Sequence, residues 1–186
     1  PPPEYADLPG PRAVYAGALD DRFDFEQMHA LAQLPLQIVL IGPATPNASG
    51  VLGSLPNVHL LGPRPYRSLP GYLQHAQIGL LPLTRHPANE GRSPMKLFEY
   101  GAAGLPVIAS ATRELKRRAL PFVRLAENSE SFIEHARELI EAEATRVELA
   151  KIARQHSAAY AWAGRAQLLL DNLKRCESPP LHREVA

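Results

Sequence analysis

Six short apolar runs recur along the chain: AVYAGAL (13–19), LQIVLIG (36–42), VHLLG (58–62), IGLLPL (78–83), PVIAS (106–110) and FVRLA (122–126). Several are apolar at every position, not at alternate ones. A strand with one wet face alternates. A continuous run needs cover on both faces, which parallel sheets obtain from crossover helices. Helical segments lie between the runs. Asp24 predicts an N-cap for a helix over 25–33, with Gln27 as capping-box partner. Residues 69–75 predict a short helix. Ser93 as N-cap and Pro94 at the first helical position open a helix to about Ala103, stopped by Gly104. Longer helices are predicted over 129–143, 146–157 and 161–175. This alternation predicts an α/β, doubly wound, Rossmann-like parallel sheet of about six strands with helices on both faces. Such sheets bind ligands beyond the carboxyl ends of their strands, here the loops after Gly17, Gly42, Gly62, Leu83 and Ser110.

With 186 residues the chain suffices for one domain with a full core. Its formal net charge of +1 gives no general reason to expect nucleic acid or an anionic membrane surface. An anion would need a local cluster. The single cysteine, Cys176, cannot form an intrachain disulfide, which fits a reducing compartment. No apolar run approaches the roughly 20 residues of a spanning helix. The 19 prolines sit at the termini and between periodic segments, as loop punctuation. The chain starts without Met and enters a strand almost at once, and so reads as a piece of a longer protein. Residues 1–12 read as a linker, 13–160 as the Rossmann-like domain, 161–175 as a closing helix and 176–186 as a tail.

The stretch SPMKLFEYGAAG (93–104) raises a physical question. Lys96 falls in the first turn of a helix, whose partial positive charge favours anions over cations. Met95, Phe98 and Ala102 share one face and read as core, flanked by Leu97 and Gly101. Lys96, Glu99 and Ala103 share another. The outward-pointing amides of Met95 and Lys96, with the lysine, suit a phosphate. Glu99, one turn deeper, suits the hydroxyls of a ribose. The competing reading is a solvated Lys96–Glu99 pair, worth about 0.2–0.5 kcal/mol.

SPMKLFEYGAAGLPVIAS resembles the P-x-K-L-x-E-Y-x-A-x-G-x-P-V segment of the C-terminal, donor-binding domain of GT-B-fold glycosyltransferases, in particular the group 1 or family-four enzymes. VYAGALDDRFDFEQMHAL, IVLIGPATP, LPNVHLLGPRPYRSLPGYLQHAQIGLLPL and YAWAGRAQLLLDNL are similar to that family's other segments in order and spacing. The resemblance spans about residues 13–175. It implies one half of a GT-B fold, holding a nucleotide diphosphate sugar (UDP-, GDP- or TDP-linked) against an N-terminal domain outside this chain. In such domains the glutamate matching Glu99 holds the ribose. The turn Ser93, Pro94, Met95 and Lys96 meets the diphosphate, and Gly17 and Ala18 admit it to the backbone. Arg22 is the candidate basic partner; the alternative is a loop charge beside Asp20, Asp21 and Asp24. Pro63, Arg64 and Pro65 border the base. Glu90 would match a second glutamate near the donor sugar, although eight residues separate it from Glu99 where the family has seven. Ala76-Gln77 stands where Ala-Asp is common, and Gly101 suggests close packing.

The resemblance further implies a cytoplasmic enzyme that needs no metal or cofactor. Lys96 and Arg22 would stabilise the leaving diphosphate. The acceptor site and any peripheral membrane association fall to the N-terminal half, without which this portion transfers nothing. His75 and His86 lack metal-ligand spacing. His59 reads as structural, Trp162 as a packing anchor, and Glu134, Arg137, Glu138, Glu141 and Glu143 as a solvated helix face. A nucleotide-sugar epimerase of the same fold and a non-catalytic interaction module are the rival functions. A dinucleotide oxidoreductase is disfavoured because no strand is followed by G-x-G-x-x-G.

Overall fold

A computed structural model of the chain describes residues 1–91 and 94–177. The six apolar runs become six parallel strands, β1 (Arg12–Ala16), β2 (Gln37–Ile41), β3 (Val58–Gly62), β4 (Ile78–Leu81), β5 (Val107–Ser110) and β6 (Val123–Ala126). They lie in the order β3-β2-β1-β4-β5-β6. The chain therefore winds outward from β1 in one direction and, after crossing back, from β4 in the other. The switch falls between β1 and β4, paired through Ala13–Ile78 and Val14–Gly79. The central strands are the continuous runs: Val14, Ile38, Val39, Ile78, Leu80, Val107 and Ile108 are fully buried. β3 and β6 are the edges, and their side chains are mostly half-buried.

Helices α1 (Phe25–Leu31) and α2 (Pro46–Gly53) join β1 to β2 and β2 to β3, and α7 (Ser129–Glu141) packs beside α1. The other layer holds α3 (Leu69–Gln74), α5 (Lys96–Ala103) and α8 (Glu143–Ala158). The short α4 (Pro87–Glu90) and α6 (Arg113–Arg118) follow β4 and β5, and α9 (Trp162–Glu177) closes the described chain. Asp24 caps α1 by accepting from Gln27 N–H at 2.9 Å. The rest of the expected capping box is absent: Asp24 N–H goes to Pro82 O, and the Gln27 side chain turns to Ser110. α2 has its own start signal, Thr45 as N-cap and Pro46 in the first turn. The N-terminal residues are docked, with Tyr5 buried edge-on against Tyr72.

Helix α5 begins at Lys96, two residues later than expected, and Ser93 lies outside the described residues. Gly104 ends it in the left-handed conformation, φ 77°. The buried face is also rotated from the expected one: Leu97, Tyr100 and Gly101 face the core, while Met95 is 63% exposed and Ala102 is exposed. Both sets satisfy helical spacing, and two contacts decide between them. Gly101 lets α8 approach so closely that an added Cβ would lie 1.9 Å from Ser157 Oγ, which agrees with the packing role read from the sequence. The Tyr100 hydroxyl, fully buried, accepts from Ala16 N–H at 3.0 Å at the end of β1. Burial holds its phenol well above the usual range. Tyr100→Phe would orphan that amide, so urea unfolding should report a loss of about 1–3 kcal/mol.

Trp162, read as a packing anchor, does not pack into this domain. It is 83% exposed at the start of α9, whose leucines Leu168, Leu169, Leu170 and Leu173 are each about half exposed. Helical spacing alone cannot tell a stripe covered within its own domain from one that this domain leaves bare.

Candidate functional site

The strand ends at the β1–β4 switch open onto a crevice lined by Tyr15, Ala18, Asp20, Arg22, Leu81, Leu83, Pro94 and Lys96. The wall from β1 is a backbone turn. Gly17 N–H donates to Ile41 O at 2.7 Å, and Leu19 N–H to Pro43 O at 2.9 Å. Gly42 sits behind this turn with φ 144°. Lys96 reaches it from the opposite side of the switch, with Nζ 5.3 Å from the Tyr15 ring centroid. A Cβ on Gly17 would lie 2.6 Å from that nitrogen, so glycine is what admits the lysine. Leu97, Phe98 and Glu99 turn their amides back onto Pro94 and Met95 carbonyls. Lys96 is thus the first helical residue, at the positive end of α5.

Arg22 is on the crevice wall but occupied, since its guanidinium grips Asp20, with Nε 3.0 Å from Oδ1. That hydrogen bond, and then the charge itself, raises the Arg22 pKa above its ordinary value. Arg22 is thus a loop ion pair with Asp20 whose side chain also lines the crevice.

Glu99 lies farther along α5, on a separate concavity with Tyr66, and accepts the Tyr66 hydroxyl at 3.1 Å. This contact raises the phenol's pKa and keeps it a neutral donor. Arg64, expected near a base, is held by Tyr72 Oη at 3.2 Å and Glu4 at 3.0 Å. These partners, Tyr72 first, raise its pKa. Pro63 and Pro65 on the same loop are exposed. Glu90 does not line the Lys96 crevice; it ends α4, where it accepts from Arg113 N–H at 3.3 Å. Gln77, at the departure from Ala-Asp, instead fastens the start of β1 by accepting from Arg12 N–H at 2.8 Å. His59 pairs with Gln37 at 2.7 Å, consistent with a structural role.

The structure thus brings Gly17, Ala18, Arg22, Pro94 and Lys96 to one crevice, with Glu99 on the same helix as the lysine. Met95 is exposed beside it. The sequence reading missed Tyr15 and Tyr66. Tyr15 stands two residues before Gly17 on a period-two strand, a usable signal. Tyr66 sits in a loop whose contact with Glu99 spans 33 positions and leaves no local trace. Among the described residues no cluster of His, Cys, Asp and Glu is arranged to hold a metal, and no helix is long and apolar enough to cross a membrane.

Residues 22–171 match the glycosyl transferase-like family. The chain belongs to that family. Its curated relative TuaH of Bacillus subtilis (strain 168), described as a teichuronic acid biosynthesis glycosyltransferase, is 30% identical over 114 residues, 59% of this chain and 29% of TuaH. Sucrose-phosphate synthase from Thermosynechococcus elongatus superposes with a TM-score of 0.75 at 24% identity, over 91% of this chain and 45% of that one. Anabaena HepE, solved with UDP and glucose, superposes with a TM-score of 0.66 at 17% identity, over 88% of this chain and 48% of HepE. At these identities the two structures share the fold. This chain spans less than half the length of each of the three.

Proposed function

We propose that this chain is the nucleotide-diphosphate-sugar-binding half of a glycosyltransferase. The observation that carries this reading is the meeting of Lys96 with the Gly17 turn across the β1–β4 switch. A diphosphate there meets an ammonium and, if Asp20 shares it, the Arg22 guanidinium. Charge develops on the diphosphate as its bond to the sugar breaks. Fixed donors stabilise that charge without reorganising, and no metal is required. The HepE complex, with UDP and glucose on the same fold, supports a nucleotide sugar as the ligand.

Glu99 would accept the ribose hydroxyls, with Tyr66 fixing the carboxylate through one oxygen and leaving the other free. Arg64, already engaged by Glu4 and Tyr72, would shape the loop near the base, and Glu90 would face the sugar side. A thermal-shift screen of UDP, GDP and TDP tests the reading. One of them should raise the melting temperature by several degrees, with and without EDTA; no shift with any of the three would count against it. Tyr66→Phe removes the hydroxyl that orients Glu99. It should weaken uridine several-fold and leave 2′,3′-dideoxyuridine unchanged in calorimetric titrations (guanosine or thymidine if the screen prefers them). Equal losses for both would assign Tyr66 to the base.

A further inference from the structure

A second cleft, about 640 Å³, opens where the loops after β4, β5 and β6 meet the start of α1. Leu83 lines both this cleft and the Lys96 crevice, so the two adjoin at the end of β4. Its floor is polar and buried: Gln27 is 5% exposed, Ser110 7% and Thr112 3%. Buried polar groups are costly unless bonded, and most of these are bonded. Ser110 Oγ donates to Gln27 Oε1 at 2.8 Å and accepts from Leu83 N–H at 2.8 Å. Thr112 Oγ1 accepts from Leu115 N–H at 3.3 Å.

One donor on this floor stays open to the cleft. The Gln27 Nε2 amide has no partner among the described residues, and Gln27 lines the cleft. Arg85 and Arg113 stand above this floor, and among the described residues neither guanidinium has an acidic partner. Lys116, by contrast, is neutralised by Glu127 at 2.8 Å. Asp24 and Glu90 contribute carboxylate acceptors on the walls.

We propose that this cleft binds an anionic sugar, a monosaccharide unit carrying a carboxylate or a phosphate. Two unmatched guanidiniums suit a planar or tetrahedral anion, which each can grip through paired N–H groups. The free amide and the wall carboxylates suit hydroxyls, which both donate and accept. The polar floor argues against an apolar guest. The chain's net charge of +1 offers no diffuse attraction, so recognition is local. The cleft's role as a sugar subsite beside the diphosphate rests on the glycosyl-transfer reading; the binding itself does not.

The test is a ¹H–¹⁵N NMR titration of this chain with glucuronate, glucose 6-phosphate, glucose and inorganic phosphate, each with and without UDP. One of the two acidic sugars should shift the amides of 84–85 and 111–116 and bind at least fivefold tighter than glucose and free phosphate. Which one does so identifies the acid group. The double variant Arg85→Gln/Arg113→Gln changes two exposed side chains. It should lose that binding at least tenfold while keeping the UDP-induced shifts around Gly17 and Lys96. Four results would each overturn the site: equal binding of glucose and the acidic sugars, equal binding of free phosphate, shifts elsewhere, or wild-type affinity in the double variant. If UDP fails to shift Gly17 and Lys96, the donor reading fails instead, and the sugar titration still decides the cleft.

Discussion

Gly42→Ala should lower the stability of the chain by about 3–5 kcal/mol, combining backbone strain with overpacking against atoms that cannot rotate away. Gly42 has φ 144°, a conformation that L side chains rarely adopt. Its Cβ would also fall 2.1 Å from Gly17 O and 2.7 Å from Gly17 C, which are backbone atoms. Relief requires the Gly17 turn to move, and that turn is held to the end of β2 through Ile41 O and to the loop after it through Pro43 O. The turn is also the proposed diphosphate wall, so any folded fraction should bind nucleotide diphosphates poorly. Gly17→Ala separates the two effects. Its Cβ would meet mainly the flexible end of Lys96, at 2.5 and 2.6 Å, and the Tyr15 hydroxyl at 2.9 Å. That variant should fold, push the ammonium off the turn and lose diphosphate affinity about tenfold. Urea unfolding of both variants beside a UDP titration checks the pair. Wild-type stability in Gly42→Ala would contradict the close approach.

Lys96→Gln should weaken nucleotide diphosphate binding by about 1.5–3 kcal/mol, the range for hydrogen bonds to charged groups. Its effect on folding should be small because losses of its contacts oppose a gain at the helix start. The contact over the Tyr15 ring, worth about 0.5–1 kcal/mol at an exposed site, is lost. Removing a cation from the start of α5 returns about 0.3–1 kcal/mol. The net change should stay within about 1 kcal/mol. The lysine's position, which its own helix does not favour, is then accounted for by what it faces across the switch.

The sheet was legible because burial on both faces writes itself into consecutive residues. The central strands 37–41, 78–81 and 107–110 fall within apolar runs. Local chemistry was equally readable where a cap acts within three residues, as Asp24 does, or where a glycine ends a helix, as Gly104 does. Reading failed where a choice is made by distant atoms. The inward face of α5 is set by Ala16 and Ser157, and Gln27 leaves its capping box for a serine 83 positions away. α2 was hidden because its proline and glycines read as loop, although Thr45 and Pro46 form an ordinary helix start. Arg64 was assigned by analogy to the base, and only the fold shows Glu4 and Tyr72 around it. The approach of Lys96 to Gly17 lies between these cases: each residue stands out alone, and their meeting requires β1 and β4 to be neighbours.

On the proposed reading, phosphate and ribose lie along the start of α5, with Lys96 on the first and Glu99 on the second. Calorimetric titration of wild type, Lys96→Gln and Glu99→Gln with UDP, uridine and 2′-deoxyuridine (or the analogues of the preferred base) tests it most directly. Lys96→Gln should lose UDP affinity and keep uridine. Glu99→Gln should lose both, with a smaller loss for 2′-deoxyuridine. If Lys96→Gln binds UDP like wild type but melts at a lower temperature, the lysine serves only the fold and the claim is wrong.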